Sequence, residues 1–223
     1  CMTSSPLNMI CQNFYIAFLH NYYFVKHETS DRHSGIFIGP HFIIYLALFF
    51  LLVCINSLGA KYFVFSYPIV PGVSAFYLIV AFMVVFALWF GIWGVLAAYA
   101  GCVIGAGVLS GLPADVSLYW SLADLWQVLI PFLAFRFFHA DPVLKSWRDR
   151  TIFFISGVVL NNIAGALWGS YTLVFGGFAE ADQVTMIMTG WFFGNAVVCG
   201  VIAPIILMYV TPWMKNHELY MGE

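Results

Sequence analysis

The chain has 223 residues, of which 63% are hydrophobic, 19% are aromatic and only 8% are charged, with a mean hydropathy of +0.93 and a formal net charge of −2. A soluble domain carries about 25% charged residues, so this chain cannot cover a water-facing surface of normal polarity. The same figures exclude a disordered chain, a basic nucleic-acid-binding surface and a secreted disulfide scaffold, and leave an all-α, polytopic membrane helix bundle.

Residues 1–35 are read as an interfacial, amphipathic segment. Their apolar stretch, residues 14–25, is too short to cross a hydrocarbon core that needs about 20 residues per helix. His20, His27 and His33 match no finger or helical ligand spacing, and no metal site is expected there. Residues 36–211 are read as a six-helix transmembrane domain, with spans at 36–58, 74–93, 94–112, 117–138, 151–176 and 185–211. Pro68, Pro71 and Gly72 separate the first span from the second, and the segment around Gly91 joins the second tightly to the third. Pro113 stops the third span; Pro131 and Pro204 fall inside later helices, where packed neighbours tolerate them. Residues 212–223 are expected to form a short cytoplasmic tail.

Orientation follows from Lys and Arg. With the N-terminus inside, Lys26, Arg32, Arg136, Lys145, Arg148, Arg150 and Lys215 all lie on the cytoplasmic side, and only Lys61 lies opposite. Both termini are therefore expected in the cytoplasm. Cys1 then reads as a trimmed start and not as a lipid anchor, which would need the outer face. Cys54, Cys102 and Cys199 lie in apolar runs and read as small core residues.

Small residues let membrane helices approach closely. The pairs Gly101 and Gly105, Gly165 and Gly169, and Gly190 and Gly194 supply such faces on the third, fifth and sixth spans, for packing within the chain or against a partner. Polarity inside the membrane is the more informative feature, because a buried ionisable group is costly and normally faces a cavity or a partner. Asp124 is the only acid well inside a span, with Trp120 one turn before it and Gln127 one turn after. Asn161, Asn162 and Asn195 lie at similar depth in the fifth and sixth spans, flanked by Trp168 and Trp191.

Trp120, Asp124, Gln127, Asn161, Trp168, Trp191 and Asn195 are accordingly the candidate substrate-binding residues. Aromatic walls with a few convergent polar groups are what a small planar ligand needs. The competing reading makes the amides interhelical glue and the tryptophans part of an interfacial belt. The chain has no HExxH, GxSxG or phosphate-loop pattern and no paired acids, so no catalytic residue, metal or cofactor is expected.

The Pro-Gly loop at 67–73, the Gly-rich run at 90–105 and the polar, aromatic outer halves of spans four to six resemble the substrate-specific (S) components of energy-coupling-factor transporters. The resemblance implies six helices in the cell (inner) membrane, a vitamin-like ligand held between the outer halves of spans four to six, and work alongside ATPase and coupling subunits. The chain departs from that family in the first span, where Ala47 is the only alanine, and in its additional 35 N-terminal residues. The alternative expectation is an accessory, structural or sensor membrane subunit of a larger complex with no ligand of its own. In both cases the partners are the lipid bilayer and other subunits, not nucleic acid.

Overall fold

The computed structural model describes residues 40–62, 68–70, 73–74 and 76–222. The N-terminal segment at 1–35, the start of the first span and most of the Pro-Gly loop lie outside the described residues.

Helix α1 (Pro40–Tyr62) is followed by a short antiparallel pair, β1 (Pro68–Val70) and β2 (Val73–Ser74), with Val70 opposite Val73. Helix α2 (Ile79–Phe90) turns at Gly91 into α3 (Ile92–Cys102), which continues through a π turn (Val103–Gly107) and a 3-10 turn (Val108–Ser110). Helices α4 (Ala114–Trp120) and α5 (Leu122–Phe138) form one nearly continuous rod, interrupted at Ser121. Helix α6 (Trp147–Phe153), a π segment (Phe154–Leu160) and α7 (Asn161–Phe175) form the next. A 3-10 turn (Ala181–Gln183) leads into α8 (Val184–Tyr209), and α9 (Thr211–Met214) ends the helical part.

Among the described residues, five helical segments are long and apolar enough to cross a membrane: Ile43–Tyr62, Ile92–Ser110, Ala114–Phe138, Trp147–Phe175 and Ala181–Tyr209. The chain is thus a multi-pass membrane protein by length and composition. The second expected span, residues 74–93, differs. Its helix holds 12 residues, about 18 Å at 1.5 Å per residue, against a core of about 30 Å. Ten of those 12 residues are buried, because α2 sits among α3, α5 and α8 instead of facing lipid. A helix apolar all round is what such a central position requires. The described residues directly ahead of α2, at 68–70, 73–74 and 76–78, are not helical, and β1 and β2 pack on α8. Irregular backbone at membrane depth is tolerated where protein surrounds it.

Helix termini reflect local chemistry. Ser146 caps α6 by accepting from the Asp149 N–H at 3.0 Å, and its own hydroxyl donates to the Asp149 carboxylate at 2.6 Å. Glu180 and Gln183 form a reciprocal capping box before α8. Gly91 has φ +58°, a conformation that costs a side-chain-bearing residue strain and so suits the sharp α2–α3 reversal.

Close approach replaces the hydrophobic effect as the packing device, since lipid tails are as apolar as the helices. A Cβ on Gly105 would lie 2.3 Å from the Ser57 carbonyl oxygen, and one on Gly101 would lie 2.3 Å from Asn56 Cβ. The Gly101/Gly105 face therefore receives α1 backbone to backbone. A Cβ on Gly165 would meet Gln127 at 2.5 Å, and one on Gly169 would meet the Trp191 ring at 2.3 Å. That face holds side chains from α5 and α8. Both small-residue faces are filled from within the chain.

The C-terminal residues, read from sequence as a short cytoplasmic tail, fold back across the end of α2. The Met221 N–H donates to the Trp89 carbonyl at 2.7 Å, Arg136 donates to the Met221 carbonyl, and Lys215 pairs with Asp141 at 2.9 Å. The last carbonyls of a helix have no partner within it, and the tail supplies one to Trp89.

Candidate functional site

The interior site is assembled where α4, α5, α7 and α8 face one another, beside the start of α2. Trp120, Asp124 and Gln127 fall on one face of the α4–α5 rod, and all three are buried. Asn161 and Asn162 open α7 immediately after the π segment, whose extra residue per turn re-aims the side chains beyond it. Both asparagines are fully buried. Trp191, Asn195 and Cys199 repeat at i, i+4 and i+8 on the buried face of α8.

Contacts link these groups into one patch. The Trp120 and Trp191 rings meet edge to face at 5.8 Å, and Trp191 lies over Gly169. Gln127 lies over Gly165 and donates from Nε2 to Asn162 Oδ1 at 2.6 Å. Asn162 Nδ2 in turn donates to the Val158 carbonyl at 2.8 Å. The Cys199 thiol lies against both asparagines. On the other side of the patch, the Tyr77 hydroxyl donates to Asp124 Oδ2 at 3.2 Å, and the Cys102 thiol lies beside the same carboxyl group. Ser121 in turn contacts Cys102.

Several polar atoms of the patch have no hydrogen-bond partner among the described residues: Trp120 Nε1, Trp191 Nε1, Asn195 Nδ2, Gln127 Oε1, and the amide oxygen and nitrogen of Asn161. Each buried polar atom left in this state costs about 1–3 kcal/mol. A patch built this way offers the two indole N–H groups as fixed donors. The amides supply either sense of hydrogen bond, and the ring faces supply stacking surface. Among the described residues no group of three or more His, Cys, Asp or Glu comes together to hold a metal ion.

Six of the seven expected site residues lie in this patch: Trp120, Asp124, Gln127, Asn161, Trp191 and Asn195. Trp168 does not join them. Residues 165 and 169 turn inward, so 168 points away from the interior; it is 39% exposed. Its Nε1 donates to the Tyr119 carbonyl at 2.7 Å, and its ring tilts against Trp126 at 6.3 Å.

The structure adds Tyr77, Cys102, Ser121 and Asn162 to the patch. Asn162 carries a legible signal as a second consecutive amide at membrane depth. Tyr77 and Cys102 carry none, because a tyrosine at the end of a loop and a thiol in an apolar run look like ordinary interface and core residues. Asn56, buried on α1 against Gly101, also lacks a partner for both amide atoms among the described residues.

Compared with protein families, curated proteins and solved structures, the chain matches none of them.

Proposed function

We propose that this chain is the substrate-capturing subunit of a small-molecule uptake transporter, similar in organisation to the S components of energy-coupling-factor systems. In this reading it binds a planar, vitamin-like molecule at the patch formed by Trp120, Asp124, Gln127, Asn161, Trp191 and Asn195. The carrying observation is the set of buried, unpartnered hydrogen-bonding atoms on helices that face each other. A ligand with carbonyl or heterocyclic nitrogen acceptors takes the two indole donors and the Asn195 amide; its own N–H groups take the Gln127 oxygen and the free side of the Asp124 carboxyl. The protein supplies binding and not catalysis, and energy comes from ATPase and coupling subunits.

Six passes result when α2 is counted as a short central one. The end carrying Arg136, Lys145, Arg148, Arg150 and Lys215 faces the cytoplasm under the positive-inside rule, and the opposite end, with Lys61, faces out of the cell (inner) membrane. Two of the three small-residue faces are occupied by the chain's own helices. That favours ligand capture over the alternative of an accessory or sensor subunit, which would present such faces to partners.

Native mass spectrometry of the detergent-purified protein should report one small bound molecule. Asp124→Ala and Asn161→Ala should each weaken its binding by about tenfold, the equivalent of one lost buried hydrogen bond. Unchanged affinity in both variants would remove the site, and a fixed multi-subunit assembly without ligand would favour the accessory role.

A further inference from the structure

A second site lies at the other face of the α4–α7 contact, and it stands independently of the interior patch. A groove of about 350 Å³ is lined by Asp115, Val116, Tyr119, Trp168, Thr172 and Phe175, within the range of about 300–1,000 Å³ typical of ligand pockets. Its aromatic walls are set in advance. Trp168 is held by its Nε1 bond to the Tyr119 carbonyl and by the Trp126 ring, and Phe175 stacks on Tyr171 at 6.5 Å.

Two donors of the lining are already used: Trp168 Nε1 goes to the Tyr119 carbonyl, and the Thr172 hydroxyl donates to the Trp168 carbonyl at 2.8 Å. No Lys or Arg lines the groove. What it offers a guest is three ring systems, the Tyr119 hydroxyl and one carboxylate. That chemistry attracts a cation with an apolar shell and offers an anion no more than the Tyr119 hydroxyl, against the Asp115 charge.

The geometry points to a binding site for the alkylammonium headgroup of a zwitterionic phospholipid, seated on Trp168, Tyr119 and Phe175 and opposite the Asp115 carboxylate. A lipid is the occupant favoured here because the groove sits near the ends of two spanning rods, at the start of α4 and the last turns of α7, where headgroups lie. Its rings are also outward-facing, Tyr119 being 66% and Phe175 86% exposed.

The test uses the full chain in a neutral detergent, titrated with phosphatidylcholine and with phosphatidylglycerol of identical acyl chains, and bound lipid counted by native mass spectrometry. Phosphatidylcholine should bind roughly fivefold more tightly, and Asp115→Asn and Trp168→Leu should each erase that preference. Asp115 is exposed at a helix start, so its variant keeps the fold even if the Trp168 variant does not. Equal binding of the two lipids, or a preference that survives Asp115→Asn, overturns the proposal. If tetramethylammonium chloride abolishes the preference at millimolar concentration while acyl chain length has no influence, a free ammonium compound is the occupant, and the lipid assignment fails.

Discussion

Three buried tryptophans divide the molecule into two regions. At the basic end the Trp89 indole donates to the Thr211 hydroxyl at 2.9 Å, and its carbonyl receives the Met221 N–H. Around it Arg136 bonds the Met221 carbonyl, Arg150 bonds the Leu144 carbonyl at 2.8 Å, and Asp141 holds Lys215. One rod further in, Trp120 and Trp191 are as buried as Trp89 but their N–H groups have no partner among the described residues. The same residue type in the same bundle is thus satisfied where it closes the fold and left open where helices α5, α7 and α8 meet. Most buried polar groups in folded proteins are paired, so a place where several are left incomplete together calls for an explanation, and the proposed ligand supplies one.

The largest expected effects come from filling space in either region. Gly169→Leu forces a side chain into the Trp191 ring and should cost about 3 kcal/mol, while also abolishing ligand binding. At the basic end Gly91→Ala should cost about 1–3 kcal/mol through backbone conformation alone and leave affinity intact. Thermal unfolding in detergent, with and without ligand, separates the two.

A sharper version substitutes the tryptophans themselves. Trp89→Phe should lose about 2 kcal/mol, because Thr211 is then buried without its partner. Trp120→Phe and Trp191→Phe remove donors that had no partner, and that relief offsets the packing lost with the smaller ring, so ligand-free stability should change by less than about 1 kcal/mol while binding weakens. Equal losses at all three positions would erase the distinction between the regions. Gln127→Leu breaks the 2.6 Å bond to Asn162 and should cost about 1 kcal/mol, an intermediate case within the open region.

The smallest effect belongs to the tail. Partial burial pushes the Asp141 carboxyl up. The hydrogen bond from Lys215, the Val143 N–H and the charges of Lys215 and Lys145 outweigh it and hold Asp141 below the usual carboxylate range. A depressed folded value means the Lys215 clasp contributes fully above the unfolded carboxylate pKa of about 3.9 and is lost as pH falls through the lower folded value. Both side chains are partly exposed, so the contribution is a few tenths of a kcal/mol. The protection factor of the Met221 N–H should fall by less than about twofold as pH drops through that folded value, and Asp141→Asn should give the same small loss already at neutral pH.

The spans and the interior amides were legible in the sequence, since a run of about 20 apolar residues and an amide in its midst are both local signals. Ser74 to Trp93 shows the limit of that reading. Hydropathy reports that a segment avoids water, and it gives the same value whether lipid or protein does the covering. Only packing among α3, α5 and α8, with paired backbone at β1 and β2 ahead of it, makes the segment a short buried helix instead of a full crossing. Trp168 lies apart from the interior patch for a related reason. A spacing of seven from Asn161 assumes an even helix, and the side on which 168 emerges was decided by Gly165 and Gly169 turning inward to admit Gln127 and Trp191.

By itself, then, the sequence determined the solvent: charges too few for water, apolar runs of membrane length, and a handful of polar side chains placed where they cannot reach it. Tertiary structure decided which of those polar groups complete one another and which do not, because hydrogen-bond partners such as Tyr77 and Asp124, or Gln127 and Asn162, are 47 and 35 residues apart along the chain and meet only when the helices pack.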